Sequence, residues 1–140
     1  MVASKLAAII LYAMCMAQGG ECVVVEARVT SYVPDWGGIN CDHDCSVGAF
    51  NVPLKEKVSA ACGPSYPWNT EVMILAPWGE VITRYCHDRG GLVTDKNVDV
   101  FMTPEEHEEM PLYGHNWPVV FKLPEQAKSQ QEPKLPKGAH

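Results

Sequence analysis

The chain has 140 residues, six cysteines, 46% hydrophobic residues and a formal net charge of −6. That length suits one domain, and the apolar fraction is ordinary for a folded protein. The acidic balance argues against a nucleic-acid partner and against adhesion to anionic lipid, because both need a basic surface; it leaves open a polysaccharide read by hydrogen bonds and ring stacking.

Residues 1–17 read as a secretory signal. Lys5 supplies the positive start, Leu6 to Met14 a short uncharged apolar run, and Cys15-Met16-Ala17 small residues flanking a cleavage point, so cleavage is expected before Gln18. Met14 is too large to precede a lipoprotein cysteine at Cys15. An uncleaved anchor is the alternative, but the run is short against the roughly 20 residues that span a bilayer.

Cys22 to Tyr32 is a β-branched run and reads as a strand. Pro34 to Asn40 carries turn chemistry, and a long loop runs on through Pro53. The loop holds Cys41-Asp42-His43-Asp44-Cys45, all of them metal-ligand types. The three-residue gap between the cysteines is not the usual zinc spacing, and no second ligand pair of matching spacing follows. A disulfide-closed loop with solvated acids is the expectation, with no metal and no cofactor.

Val58 to Cys62 reads as a strand, Gly63 to Pro67 as a turn, Glu71 to Ala76 as a strand, Pro77 to Glu80 as a hairpin turn and Glu80 to His87 as another strand. Short strands at this spacing suit a small barrel better than an α/β sheet. One short helix is expected next. Thr103 is its N-cap, Pro104 its first residue and Glu106 the closing member of a capping box. Glu105 suits the positive helix end; Glu108, Glu109 and His107 read as a solvated face, and Pro111 stops the helix. Trp117 to Leu123 is the last strand. From Pro124 the chain has almost nothing apolar and reads as a disordered tail. The domain assignment is therefore a signal at 1–17, a barrel at 22–123 and a tail at 124–140.

The chemistry concentrates between Tyr85 and Phe101, which reads as strand, glycine loop, strand. Asp88 ends the first strand, Gly90-Gly91 free the backbone for positive φ, and Asp99 sits among Val98, Val100 and Phe101. An ionised carboxylate set among such residues is expensive to bury. It finds a partner or holds its proton, and a carboxyl that is protonated near neutral pH is a general acid. Turn and strand-end hydrogen bonding is the alternative role for both aspartates.

His87-Asp88-Arg89-Gly90-Gly91 followed by Val98-Asp99-Val100-Phe101, with the two aspartates eleven positions apart, resembles the 3D domain, a family named for three aspartates. Arg28-Val29-Thr30-Ser31-Tyr32 resembles that family's opening strand. Ser59 to Val72 resembles its Ala-x-Asp-Pro-x-x-Ile-Pro-x-Gly-Thr-x-Val segment. The resemblance covers about residues 26–123. Cys62 stands where the family has its first aspartate. Val47-Gly48-Ala49-Phe50 replaces its Ala-Thr-Gly-like element. Asn69 replaces the glycine of Pro-x-Gly-Thr, and asparagine also tolerates left-handed geometry.

The resemblance implies a mainly β fold: a six-stranded double-psi β-barrel with one short helix and a disordered C-terminal tail, as in the membrane-bound type A lytic transglycosylases and expansins. It implies cleavage of peptidoglycan glycan strands; the N-terminal signal makes the protein secreted, or cell-wall- or periplasm-facing. Such a protein would be a monomer with no membrane anchor after signal cleavage. Asp99 matches the family's strand aspartate and is the candidate acid, with Asp88 beside it. A nearby carboxylate raises its neighbour's pKa. Arg89 is a candidate partner for Asp88, which would make Asp88 a structural ion pair; His87 is a candidate to tune it.

Tyr32 and Trp36 are candidates to stack on or hydrogen-bond a sugar, the alternative for Tyr32 being a core aromatic. Gly90 and Gly91 would let substrate approach the backbone, and Trp68 and Trp78, in turns, are candidate groove residues. Export makes disulfides the expectation: Cys62 with Cys86, at strand ends that a barrel brings together, and Cys41 with Cys45. Cys22 is left over or pairs with one of the others. The rival readings are a non-catalytic glycan-binding barrel and a small disulfide-rich interaction module.

Overall fold

The computed structural model describes residues 2–33, 53–110 and 112–124. Trp36, the segment holding Cys41 and Cys45 with their expected bridge, and the tail from residue 125 lie outside the described residues. In chain order the elements are α1 (Val2–Ala17), β1 (Cys22–Tyr32), β2 (Ser59–Ala61), β3 (Glu71–Leu75), β4 (Val81–Asp88), β5 (Asn97–Phe101), α2 (Pro104–Glu109) and β6 (Tyr113–Lys122). The six strands close into a barrel in the order β1-β5-β2-β4-β3-β6. The β1–β5 and β2–β4 pairs are parallel, and the other pairs are antiparallel. This is the expected six-stranded barrel with a short helix after Asp99.

Strand alternation builds the core. Ala27 and Val29 of β1, Val72 and Ile74 of β3, Val98 and Val100 of β5, and Val119 and Phe121 of β6 point inward and are fully buried. Tyr66 lies flat on Phe121, with ring centroids 3.8 Å apart. Each such aliphatic side chain contributes about 1.5–3 kcal/mol by leaving water. The expected Cys62–Cys86 disulfide forms at the inner end of β2 and β4, with a Cα separation of 5.5 Å, inside the range that a bridge spans.

Cys22 takes Cys15 as its partner, at a Cα separation of 6.3 Å. The expectation of a cleaved leader had removed Cys15 from the count. The same segment forms α1, whose Ala8, Leu11, Tyr12 and Cys15 pack on Met73, Leu75 and Val120 outside the barrel. Among the described residues, no helix is long and apolar enough to cross a membrane.

Three local expectations change. Positive φ among the described glycines falls at Gly19, Gly79 and Gly114, and so not at Gly90 or Gly91. At Gly90 the constraint is closeness, because a Cβ there would meet Val93 Cγ2 at 2.9 Å. Asn69 does adopt left-handed backbone, with φ 70°. Thr103 caps α2 by accepting from the Glu106 amide at 3.2 Å, but the Glu106 carboxylate turns into the protein and pairs with Arg84 instead of closing a capping box. β6 starts at Tyr113, ahead of the expected Trp117, because Gly114, at φ 86°, lets the strand bulge and pair with β1 on both sides of the break.

Candidate active site

Register places the two aspartates on one face. Thr30 of β1 is opposite Asp99 of β5, Asp99 is opposite Ala61 of β2, and Ala61 is opposite Asp88 of β4. The row therefore reads Thr30, Asp99, Ala61, Asp88 across four neighbouring strands. Asp88 and Asp99 are not on adjacent strands, as a simple return through the glycine loop would make them. The short strand β2 lies between, which separates their Cα atoms by two strand spacings, about 10 Å. In that row only the methyl group of Ala61 stands between them.

One bulge aims Asp88, and a second lies beside the row. Along β4, Ile82, Arg84 and Cys86 point inward, so strict alternation would send Asp88 inward as well. The β2–β4 register slips between Ala60 and Ala61, with His87 as the extra residue, and Asp88 comes back opposite outward-facing Ala61. On the other side, the β1–β6 register slips between Val29 and Thr30, at the Gly114 bulge. A Cβ on Gly114 would meet Arg28 Nε at 2.7 Å.

Tyr32 connects the row. It lies two residues beyond Thr30 on the same face of β1, its ring is edge-on to Phe101 at 5.7 Å, and its hydroxyl donates to Asp88 Oδ2 at 2.9 Å. Burial and the negative charges of Asp88 and Asp99 push the Tyr32 phenol well above its ordinary pKa. It is therefore a fixed hydroxyl donor to Asp88. The Arg89 amide donates to Asp88 Oδ1 at 2.9 Å, while the Arg89 guanidinium reaches the Gly63 carbonyl at 3.1 Å and the Tyr66 carbonyl.

Asp99 accepts a hydrogen bond from Thr30 Oγ1 at 2.9 Å. Burial, augmented by the Asp88 charge, outweighs that bond and pushes Asp99 up to about 6. The desolvation does not come from Val98 and Val100, which face the barrel interior. Alternation turns a strand residue's sequence neighbours away from it.

Supporting contacts fix the loops around the acids. His87 stands between Ser59 Oγ, 3.0 Å from Nδ1, and Asn69 Oδ1, 3.2 Å from Nε2; burial, with the Lys55 charge, lowers its pKa. Asp95 accepts from the Ser65 amide at 3.0 Å and from the Ser65 hydroxyl, and these bonds hold its carboxyl below the ordinary range. The clasp presses the 63–67 turn onto the 90–97 loop so closely that a Cβ on Gly63 would meet Asp95 Oδ1 at 2.3 Å. Gly90 and Gly91 lie exposed on that loop, beside Asp88 in sequence. Trp68 packs near His87, with centroids 6.2 Å apart.

Sequence reasoning brought Asp88, Asp99 and Tyr32 to the site and missed Thr30, Ala61 and the Asp95–Ser65 clasp. Thr30 was within reach: it shares a strand face with Tyr32 by period two. The clasp carries no local signal, since 30 residues separate its members.

A carboxyl whose pKa is pushed up to about 6, held by one hydroxyl, with a second carboxylate and a fixed phenol beside it, keeps a protonated fraction near neutral pH and is able to donate a proton to a leaving oxygen and take one back.

No protein-family model matches the chain, and no curated protein matches it. Among solved structures the chain is similar to the lytic transglycosylase MltA from E. coli. A crystal structure of MltA shares 23% identity, covering 58% of this chain and 28% of that one, at a TM-score of 0.46. An aspartate-to-alanine variant of MltA in apo form shares 20%, covering 59% and 28%, at 0.49. MltA with bound chitohexaose shares 22%, covering 59% and 29%, at 0.48. The chain thus spans less than a third of the proteins that it resembles.

Proposed function

We propose that this chain is an exported peptidoglycan lytic transglycosylase that cleaves the bond between N-acetylmuramic acid and N-acetylglucosamine, with Asp99 as general acid and then general base. The observation that carries the reading is the Asp99 carboxyl, pushed to about 6 on the outer barrel face beside Asp88 and Tyr32. In this reaction the acid protonates the departing glycosidic oxygen. The muramyl C6 hydroxyl closes on C1, and its proton passes to the same carboxylate. Water is not the nucleophile, so the second carboxylate of ordinary glycosidases is not obligatory. Asp88 and the Tyr32 hydroxyl are the groups that position the sugar, and the Asp88 charge helps to raise the Asp99 pKa. Trp36, Gly90 and Gly91 belong to the sugar-binding part of this proposal.

Export through residues 1–17 and action as a monomer complete the reading, and the two bridges fit an oxidising compartment. The Cys15–Cys22 bridge spans the expected cleavage point, so the mass of the exported chain after reduction distinguishes a start at Gln18 from retention of α1. The test of activity is digestion of purified peptidoglycan. The expected product is 1,6-anhydromuramyl fragments, with a loss of at least about a hundredfold in Asp99→Asn. A reducing-end hydrolysis product, or an unchanged rate in the variant, contradicts the assignment. A glycan-binding barrel without catalysis is the second reading. It draws on Cys62, where a disulfide takes the place of the family's first acid, and it predicts retention on insoluble glycan with no released fragments.

A further inference from the structure

His87 is the extra residue of the β4 bulge, the one that lets Asp88 return opposite Ala61. Before it, Cys86 is held by the bridge to Cys62. After it, the Asp88 carbonyl accepts from the Cys62 amide at 3.2 Å. A bulged residue is left out of the ladder, so regular pairing does not fix how the strand runs past it. The His87 side chain supplies connections at this point. Its Nδ1 lies 3.0 Å from Ser59 Oγ, at the start of β2, and its Nε2 lies 3.2 Å from Asn69 Oδ1, in the turn before β3. The imidazole thus ties the end of β4 to both strands that flank it, with the Trp68 and Tyr85 rings each 6.2 Å away.

These contacts select one tautomer. The Ser59 hydroxyl is fully buried and accepts from the Lys55 amide at 2.9 Å. Its own proton needs an acceptor, and among the described residues its other partner is His87 Nδ1. The Asn69 side-chain carbonyl only accepts, so Nε2 is the nitrogen that carries a proton. Both contacts therefore ask for the same neutral ring, bare at Nδ1 and protonated at Nε2. The hydrogen bonds run one way, from the Lys55 amide through Ser59 and His87 to Asn69. A second proton on the ring would occupy Nδ1 and leave the buried Ser59 hydroxyl without that acceptor, which is costly. Burial and the Lys55 charge act in the same direction by lowering the His87 pKa.

We propose that His87, as the neutral Nε2–H tautomer, is a positioning residue: it braces the β4 bulge between β2 and the turn before β3, and so sets the direction in which Asp88 meets the Tyr32 hydroxyl. Strict alternation would send Asp88 inward, and the brace holds the bulge that prevents it. Asp88, so aimed, accepts from Tyr32 at 2.9 Å and adds its charge to Asp99. The brace reaches the acids through the backbone of one residue, the link between His87 and Asp88. Its catalytic meaning rests on Asp99 as the acid; the brace itself is tested without glycan.

The test is NMR of the full-length chain at neutral pH. Long-range proton–nitrogen correlation of the His87 ring is expected to show a bare Nδ1 and a protonated Nε2. The Tyr32 hydroxyl proton, held by Asp88, is expected to exchange with water about tenfold faster or more in His87→Ala, where that hydrogen bond is lost. Asn69→Gly is the milder variant. Glycine accepts the left-handed φ of 70° at this position. Backbone bonds from the residue 69 amide to the Cys86 carbonyl, at 2.8 Å, and from the Cys86 amide to the Thr70 carbonyl, at 2.9 Å, keep the turn on β4. It removes one end of the brace and is expected to speed Tyr32 exchange by a smaller factor. If His87→Ala does not fold, Asn69→Gly alone decides. A protonated Nδ1 in the parent, or Tyr32 exchange that the folded variants leave unchanged, overturns the proposal. A parent that releases no fragments from peptidoglycan overturns the cleavage reading and not the brace, because neither signal needs glycan.

Discussion

Two carboxylates in this barrel lose water and meet opposite neighbours. Burial raises the pKa of both Asp99 and Glu106. At Asp99 the nearby charge is Asp88, which pushes the same way as burial, and among the described residues the opposing contact is a neutral hydroxyl. At Glu106 the nearest charge is Arg84, which pushes against burial. Desolvation therefore accompanies an acid pushed up to about 6 in one place and a paired ion in the other. What distinguishes the two sites is the sign of the neighbouring charge.

The ion pair yields the larger expected effect on stability. Glu106→Ala strands Arg84 in the barrel end and is expected to cost about 3–5 kcal/mol in chemical denaturation, whereas Arg84→Met with Glu106→Leu together costs far less. A single variant as stable as the double would mean that Arg84 finds water without its partner, and the contrast with Asp99 would collapse.

The smaller effect has the opposite sign. The folded Asp99 carboxyl titrates near 6 against an ordinary 3.8. Its stabilising share is fully present below the unfolded value and is lost as pH rises through about 6. Asp99→Asn keeps the acceptor for Thr30 and removes the charge. It is expected to raise stability by about 1–2 kcal/mol at pH 7 and by nothing near pH 3.5, read as unfolding midpoints at the two pH values. An equal change at both pH values would separate the substitution from titration.

Much of the barrel is legible in the residues. The β-branched run from Cys22, the short apolar run of β3, the Thr103-Pro104 helix start and the Cys62–Cys86 strand ends all carry local signals. What is not legible is lateral. Nothing near Asp99 in the chain announces that Thr30 and Ala61 are its neighbours, and the apolar residues beside it in sequence face the other way. Arg84 looks like an outward charge in a strand until register shows it on the inward face with Ile82 and Cys86. Glu106 fits a capping box by spacing, yet a partner 22 residues away claims its side chain. The bulge at His87 decides where Asp88 points, and a bulge is a property of a strand pair, not of a strand.

Carboxyl-carbon NMR titration of Asp99, in the parent chain and in Asp88→Asn, tests the central claim most directly. The account predicts a midpoint near 6 in the parent and a lower one in Asp88→Asn, because removing the Asp88 charge removes a cause that raises it. A parent midpoint near the ordinary carboxylate value, or one that Asp88→Asn leaves in place, would contradict it.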